Sequence, residues 1–445
     1  MHKEKQQNAF REWNRRQFFG TGATLTASAA VATGTTLAAP GTSVGSQHRP
    51  GKQPLAQDYT VVTKQPTKEH FVTLPGMVVL DDGTLFATVP FEEWKDKGVL
   101  RNKRSLRRLV GGQTHTFRSH DQGMTWEPLQ TMAFSEVAPF VDNDNIYMFL
   151  GDKNPLLIRS DDAGSTWSRP VQLFEGLELD FSPNVQYGEV VKDGFRYFSR
   201  GYRTSVVAAD LSQDLMNPTA WRVSNVLQFP GAPKRLRSNL YPPDKNIWPV
   251  QWPGDLWLEP NVVNVNGQLR VLLRSIIDEY ATANICAVCD LTDDGRDIQL
   301  EFTQFAALPG GQNKFFILHD EPSQLFWMLS NIPTDSQGYF YKRDELLKIG
   351  FHGGPGNERR ILMLHYSRDA LNWFSAGCAA KWDSPLQSFM YPTAVVNEDD
   401  IVFISRTSKN GQNQHDADLA TFHRIKNFRS LAMDLSPTIP AGPNV

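Results

Sequence analysis

The residues best suited to chemistry in this 445-residue chain are a scattered set of acids, arginines, one tyrosine and two histidines. Glu259 enters and Arg274 leaves a hairpin that turns at Asn266 and Gly267. Arg359 and Arg360 precede an apolar run ending at His365, and Tyr391 begins the next strand-like run. Arg406 ends the run after that, shortly before His415, Asp416 and Asp418, while His70 stands just ahead of the first strand-like segment. An arginine fork binds both oxygens of a carboxylate at once. A histidine is a fitting base near neutral pH. Each residue also has a plain reading. Glu259 before a proline can cap a turn, Tyr391 can pack in a core, and 415–418 can be a polar turn, while of two adjacent arginines at most one faces inward. Cys286 and Cys289 have the spacing of a redox or zinc half-site, but they lie in a strand-like run where residues three apart point to opposite faces. With three Cys and no second pair, these read as buried small apolar residues, and no metal or cofactor site is expected.

Such residues need strands to hold them, and the sequence supplies a repeated strand device. Residues 119–126 and 160–167 both read S-x-D-x-G-x-T-W, 41 residues apart. The Asp accepts from turn N–H groups, Gly supplies a positive φ, and Thr and Trp begin the next strand. Weaker copies run from Ser212 to Trp221, with an insertion, and from Ser367 to Trp373, lacking the Gly. Asp81-Asp82-Gly83, Asn266-Gly267 and Asp399-Asp400 mark further hairpins, and no long helical periodicity appears. The expected class is all-β, built from repeated antiparallel units of propeller size. Residues 91–108 and 228–253 read as long insertions on one face. The last strand, Asp418 to Ile425, is expected to close the ring by pairing with the first blade.

The S-x-D-x-G-x-T-W segments resemble the Asp-box of the sialidase superfamily and related sugar-acting β-propellers. The resemblance covers most of residues 70–425 as fold and implies six four-stranded blades, with seven as the alternative. It also implies a site of three arginines clamping a substrate carboxylate, a Tyr nucleophile with its Glu partner, and an Asp acid. In this chain Tyr391 and Glu259 match the nucleophile pair, and Arg274 and Arg359 match two arginines; Arg406 is a further substrate-binding candidate. The chain departs from the pattern twice. Thr73 stands in Val72-Thr73-Leu74-Pro75 where the family keeps its first arginine, and no Asp stands out as the acid, leaving Glu92, Glu93 and Asp96 as candidates. The function so implied is a glycoside hydrolase acting on a terminal, carboxylated sugar. Alternatives are a lyase or rhamnosidase-type propeller for uronic-acid polysaccharides, using His70 with Tyr391, and a non-catalytic sugar-binding propeller.

Composition is consistent with this. Net charge is −3 with 21% charged residues, too even for a nucleic-acid binder. Residues Asn14 to Phe19 (NRRQFF) resemble a bacterial twin-arginine export signal, followed by a mild Ala/Gly/Thr run to Ala39 that is too weakly apolar to span a membrane. The expected division is a signal peptide over 1–39, a linker over 40–58 and the propeller over 59–445. The mature protein is expected outside the cytoplasm, periplasmic or secreted, as a monomer with a glycan as its partner and no integral membrane segment.

Overall fold

The computed structural model describes residues 53–93, 112–134, 137–150, 155–175, 188–200, 204–233, 236, 256–277, 284–336, 338, 342–351 and 358–437. Six antiparallel sheets follow one another along the chain. In blade 1, β2 (His70–Val72) and β3 (Gly76–Val79) both pair with β4 (Leu85–Glu93), and β5 (Gln113–Ser119) and β6 (Glu127–Met132) complete it. Blade 2 is β7 (Val137–Asp142), β8 (Asn145–Leu150), β9 (Leu156–Ser160) and β10 (Val171–Gln172). Blade 3 holds β11 (Val190–Lys192), β12 (Phe195–Arg200), β13 (Ser205–Asp210) and β14 (Trp221–Val223). Blade 4 holds β15 (Leu256–Val265), β16 (Gln268–Ile276), β17 (Ile285–Asp293) and β18 (Ile298–Ala307). Blade 5 runs through β19 (Phe315–Asp320), β20 (Leu325–Asn331), β21 (Ile361–Ser367) and β22 (Phe374–Lys381), with a short helix α1 (Arg343–Lys348) between its second and third strands. Blade 6 is β23 (Ser388–Asn397), β24 (Asp400–Ser408), β25 (Leu419–Ile425) and, outermost, β1 (Tyr59–Lys64).

This is a six-bladed β-propeller. The final strand does not pair with blade 1. Instead β25 takes the N-terminal β1 as its outer neighbour, from Tyr59 opposite His423 to Lys64 opposite Leu419. The ring is thus closed by joining both ends of the chain in one sheet, which covers an edge that would otherwise be open. Leu55 and Ala56, within the stretch read as linker, already donate backbone hydrogen bonds to Cys378 and Ala379 of β22.

The core is a set of slabs between neighbouring blades. Phe140, Phe149, Phe198 and Trp221 interlock between blades 2 and 3, and Trp327, Phe389 and Phe403 between blades 5 and 6. Each such side chain contributes roughly 1.5–3 kcal/mol by burial. The two strong S-x-D-x-G-x-T-W segments are the turns β5–β6 and β9–β10. In both, the Ser hydroxyl donates to the Asp (Ser119–Asp121 and Ser160–Asp162, each 2.8 Å), and the same Asp accepts from the Thr backbone and hydroxyl. Trp126 then packs on Phe422 of blade 6 and Trp167 on Phe86 of blade 1, so each turn pins its blade to the previous one. Of the weaker copies, Ser367 to Trp373 keeps the Ser–Asp bond, with Ala370 taking the positive φ. In blade 3 Ser212 bonds to Asp210, upstream of the expected Asp214, which itself accepts from the Met216 N–H.

One sequence expectation is corrected here. Phe91, Glu92 and Glu93 are not insertion but the end of β4, with Phe91 buried; residues 94–111, including Asp96, lie outside the described residues. Most of 228–253 also lies outside them. Cys286 and Cys289 are free and buried, and they face different slabs, Cys286 between blades 4 and 5 and Cys289 between blades 3 and 4.

Candidate active site

The first strand of each blade lines the ring interior, where β3, β7, β11, β15, β19 and β23 lie. Two of these strands are interrupted at a candidate residue. In β15 the register with β16 slips between Leu258 and Pro260, leaving Glu259 in a bulge with φ of 53°. In β23 it slips between Met390 and Thr393, leaving Tyr391 with φ of 50°. Each residue precedes a proline, which disfavours anything but extended backbone for its predecessor. A left-handed, non-Gly residue in a bulge costs about 1–3 kcal/mol, and bulges re-aim side chains. The strain therefore appears twice, at the two residues proposed from sequence as a pair, and turns both side chains inward.

Arg274 on β16 connects them. Its Nη1 donates to Glu259 Oε2 at 2.8 Å and to Tyr391 Oη at 3.4 Å, and its Nε donates to the Gln312 carbonyl at 2.7 Å. No direct hydrogen bond joins Tyr391 to Glu259 among the described residues; the guanidinium bridges them. Burial works against the Arg274 charge, but Glu259 and Tyr391 outweigh it and raise its pKa above the ordinary arginine value. Arg359, just before β21, donates to Met390 Sδ at 3.0 Å with its guanidinium 5.2 Å from the centre of the Tyr391 ring. Its neighbour Arg360 turns away to Glu358 and the Trp382 carbonyl. Arg406 on β24 lies 5.4 Å from the Tyr391 ring centre and 5.8 Å from that of Phe71. Burial lowers the pKa of both arginines, that of Arg406 to about 10. Glu259, Arg274, Arg359, Tyr391 and Arg406 are all buried.

The structure adds one residue that sequence reasoning missed. Lys314, next to the start of β19, is 2% exposed, donates to the Pro392 carbonyl and lies 5.1 Å from the Phe316 ring centre. Burial lowers its pKa to about 7, opposed by the Glu259 charge. The available signal was its place in Gln312-Asn313-Lys314, a polar step just before the apolar Phe315–Ile317. Beside Arg406, His415 Nδ1 is 2.8 Å from Asp416 Oδ1 and 3.2 Å from Arg406 Nη2.

His70 is not brought into this cluster. Its Nδ1 bonds the Thr67 hydroxyl at 2.9 Å on an exposed stretch. Alternation along β2 turns it opposite to Phe71, the ring that meets Arg406. Thr73 directs its hydroxyl to the Pro90 carbonyl at 3.3 Å. Glu92 ends β4 within electrostatic range of Arg406; Glu93 is exposed. Around Tyr391, then, four buried basic side chains (Arg274, Lys314, Arg359, Arg406) face two buried carboxylates, Glu259 and Asp416. Planar guanidiniums gathered in one buried site suit an anionic ligand such as a carboxylate.

No protein-family model matches the sequence, and no curated protein matches it. Among solved structures the chain is similar to a protein of unknown function from Dyadobacter fermentans, at 11% identity and TM-score 0.51, over 85% of this chain and 99% of that one. It is also similar to a mutant Trypanosoma rangeli sialidase displaying trans-sialidase activity, at 14% identity and TM-score 0.50. That match covers 84% of this chain but only 58% of the sialidase chain. A Penicillium chrysogenum alpha-L-arabinanase matches at 12% identity and TM-score 0.44, over 84% of this chain and 98% of that one. At these identities the likeness is one of fold, and the fold is the six-bladed propeller.

Proposed function

We propose that the protein is an exported propeller glycoside hydrolase that removes a terminal, carboxylated sugar from a glycan. The observation that carries this reading is the convergence of Arg274, Arg359 and Arg406 on Tyr391, with Glu259 on the same Arg274 Nη1. The guanidiniums would hold the sugar carboxylate, for which their planar forks are suited. Tyr391 Oη would attack the anomeric carbon. A neutral phenol is the right nucleophile beside a carboxylate, which would repel an anionic one, and Glu259 would take the phenol proton as the bond forms. Both groups already touch one Arg274 nitrogen, and catalytic hydrogen bonds commonly tighten only once substrate is bound. The similarity of fold to a sialidase supports the reading by analogy alone. Export rests on the arginine pair at Arg15 and Arg16.

The test is turnover by the purified protein of a fluorogenic sialoside and of a panel of uronic-acid glycans, beside Tyr391→Phe and Glu259→Gln. Hydrolysis that falls at least 100-fold in Tyr391→Phe supports the assignment. An unsaturated, ultraviolet-absorbing product would replace hydrolysis with elimination. Ligand binding without turnover, unchanged in Tyr391→Phe, would reduce the site to a lectin.

A further inference from the structure

Glycosidic cleavage with a Tyr–Glu pair still needs a group to protonate the leaving oxygen, and neither Tyr391 nor Glu259 is available for that while they handle the phenol proton. We infer that His415, held by Asp416, is the acid–base residue of this site; the inference rests on the glycosidase reading above. The geometry is that of an oriented imidazole. Asp416 Oδ1 takes Nδ1 at 2.8 Å, and Asp416 Oδ2 accepts from Asn413 Nδ2 at 2.6 Å. Asn413 Oδ1 in turn accepts from the backbone N–H groups of His415 and Asp416, at 2.7 and 2.9 Å. The loop carrying them is fastened on both sides, by Ser388 Oγ to the Gln414 carbonyl and by the Val72 N–H to the Ala417 carbonyl. Asp416 and Arg406 both meet Nδ1, so the ring is held along that edge and Nε2 is left for proton transfer. His415 Nε2 has no protein hydrogen bond among the described residues, and the side chain keeps 20% of its surface exposed, whereas Asp416 keeps 3%.

Position agrees with this. Arg406 touches His415 with Nη2 at 3.2 Å and reaches the Tyr391 ring with the same guanidinium, so one side chain separates the imidazole from the nucleophile. Burial first, and then the charges of Arg406 and Arg359, disfavour a second proton on His415, while Asp416 favours it. A substrate carboxylate on those arginines offsets their share of the opposition and so favours the protonated imidazole. In the first step Tyr391 Oη bonds the anomeric carbon, the bond to the leaving oxygen breaks, Glu259 takes the phenol proton, and His415 Nε2–H gives its proton to the leaving oxygen. In the second, water bonds the anomeric carbon and gives a proton to His415 Nε2, while the departing Tyr391 recovers its own from Glu259. The sum is one glycoside and one water converted to sugar and alcohol.

The experiment compares two leaving groups with the same carboxylated sugar found to be cleaved: 4-methylumbelliferone, which departs without a proton, and a natural sugar alcohol, which does not. In His415→Gln the alcohol substrate should slow by about 100-fold or more and the umbelliferyl substrate by less than about 10-fold. Asp416→Asn should show the same split, more weakly. His415→Ala serves as the second variant, with its melting temperature read beside the rates. Equal losses on both substrates, or none, would overturn the inference while leaving the Tyr391-dependent reading intact. A wild-type protein that cleaves no carboxylated glycoside would overturn both.

Discussion

Lys314→Met separates what the charged centre does for binding from what it costs the fold. The Lys314 ammonium is almost fully buried, and burial lowers its pKa from 10.5 to about 7. At about 1.36 kcal/mol per pH unit, keeping this group charged in the folded state costs about 5 kcal/mol relative to the unfolded chain. Between pH 7 and 10.5 the unfolded chain holds the proton and the folded one does not, so this group makes stability rise with pH across that window. Below pH 7 the penalty is present in full. Methionine fills a similar volume without charge and forfeits the hydrogen bond to the Pro392 carbonyl, worth about 1 kcal/mol. Urea denaturation should therefore find Lys314→Met more stable than wild type by about 2–4 kcal/mol at pH 6, with the gap closing towards pH 10. Affinity for a carboxylated sugar should fall at pH 6 in the same variant. A gap that does not change with pH, or a variant less stable at pH 6, would refute the claim that Lys314 is a buried cation carried at the expense of stability.

Other consequences are independent of the chemistry. His365 is buried with neither ring nitrogen hydrogen-bonded among the described residues, and burial lowers its pKa to about 4. The unfolded chain binds a proton below pH 6.5 that the folded chain refuses until about 4, so stability is intact above 6.5 and falls by up to about 3 kcal/mol on the way down; His365→Leu should flatten that part of a melting-temperature profile. Gly164 has φ of +86°, and a Cβ there would stand 2.3 Å from the Phe86 ring. Gly164→Ala should cost about 2–4 kcal/mol in equilibrium unfolding, whereas Gly194→Ala, at φ of +79° with open space around it, should cost about 1. Arg406→Lys should weaken calorimetric binding of a carboxylated sugar at least tenfold, because an ammonium has neither the fork nor the stacking face for Tyr391.

The fold was legible where local chemistry repeats. The Ser–Asp–Gly–Thr–Trp turns are determined by side chains within eight residues of one another, and their hydrogen bonds recur in both copies. That Tyr391, Glu259 and Arg274 lie together was suggested by their places beside strand-like runs, although the structure sets them inside β23, β15 and β16, and Arg359 could be separated from Arg360 only as one of two. What escaped reading depends on long-range placement. Nothing local tells that β1 rather than blade 1 receives β25, since the pairing joins residues more than 350 apart in sequence. Lys314 looks like an ordinary surface lysine until β19 and β23 come together. His70 failed for the opposite reason: its neighbour Phe71 faces the cluster, and a one-residue offset on a strand reverses the face.

Thr73 and Arg406 make one argument together. Blade 1 lacks a continuous first strand: β2 and β3 both pair with β4, and the chain between them, Thr73 to Pro75, is out of register with it. The Thr73 N–H and hydroxyl both go to the Pro90 carbonyl, so that position serves its own blade and leaves the channel to others. Arg406 reaches the same side from blade 6, with Phe71 of β2 under its guanidinium and Ala417, two residues past His415, accepting from the Val72 N–H. Thr73 thus binds within its own blade, and the guanidinium over Phe71 comes from β24. Arg406 on β24, beside the 409–418 loop, contacts the ring of Tyr391 and the imidazole of His415 at once.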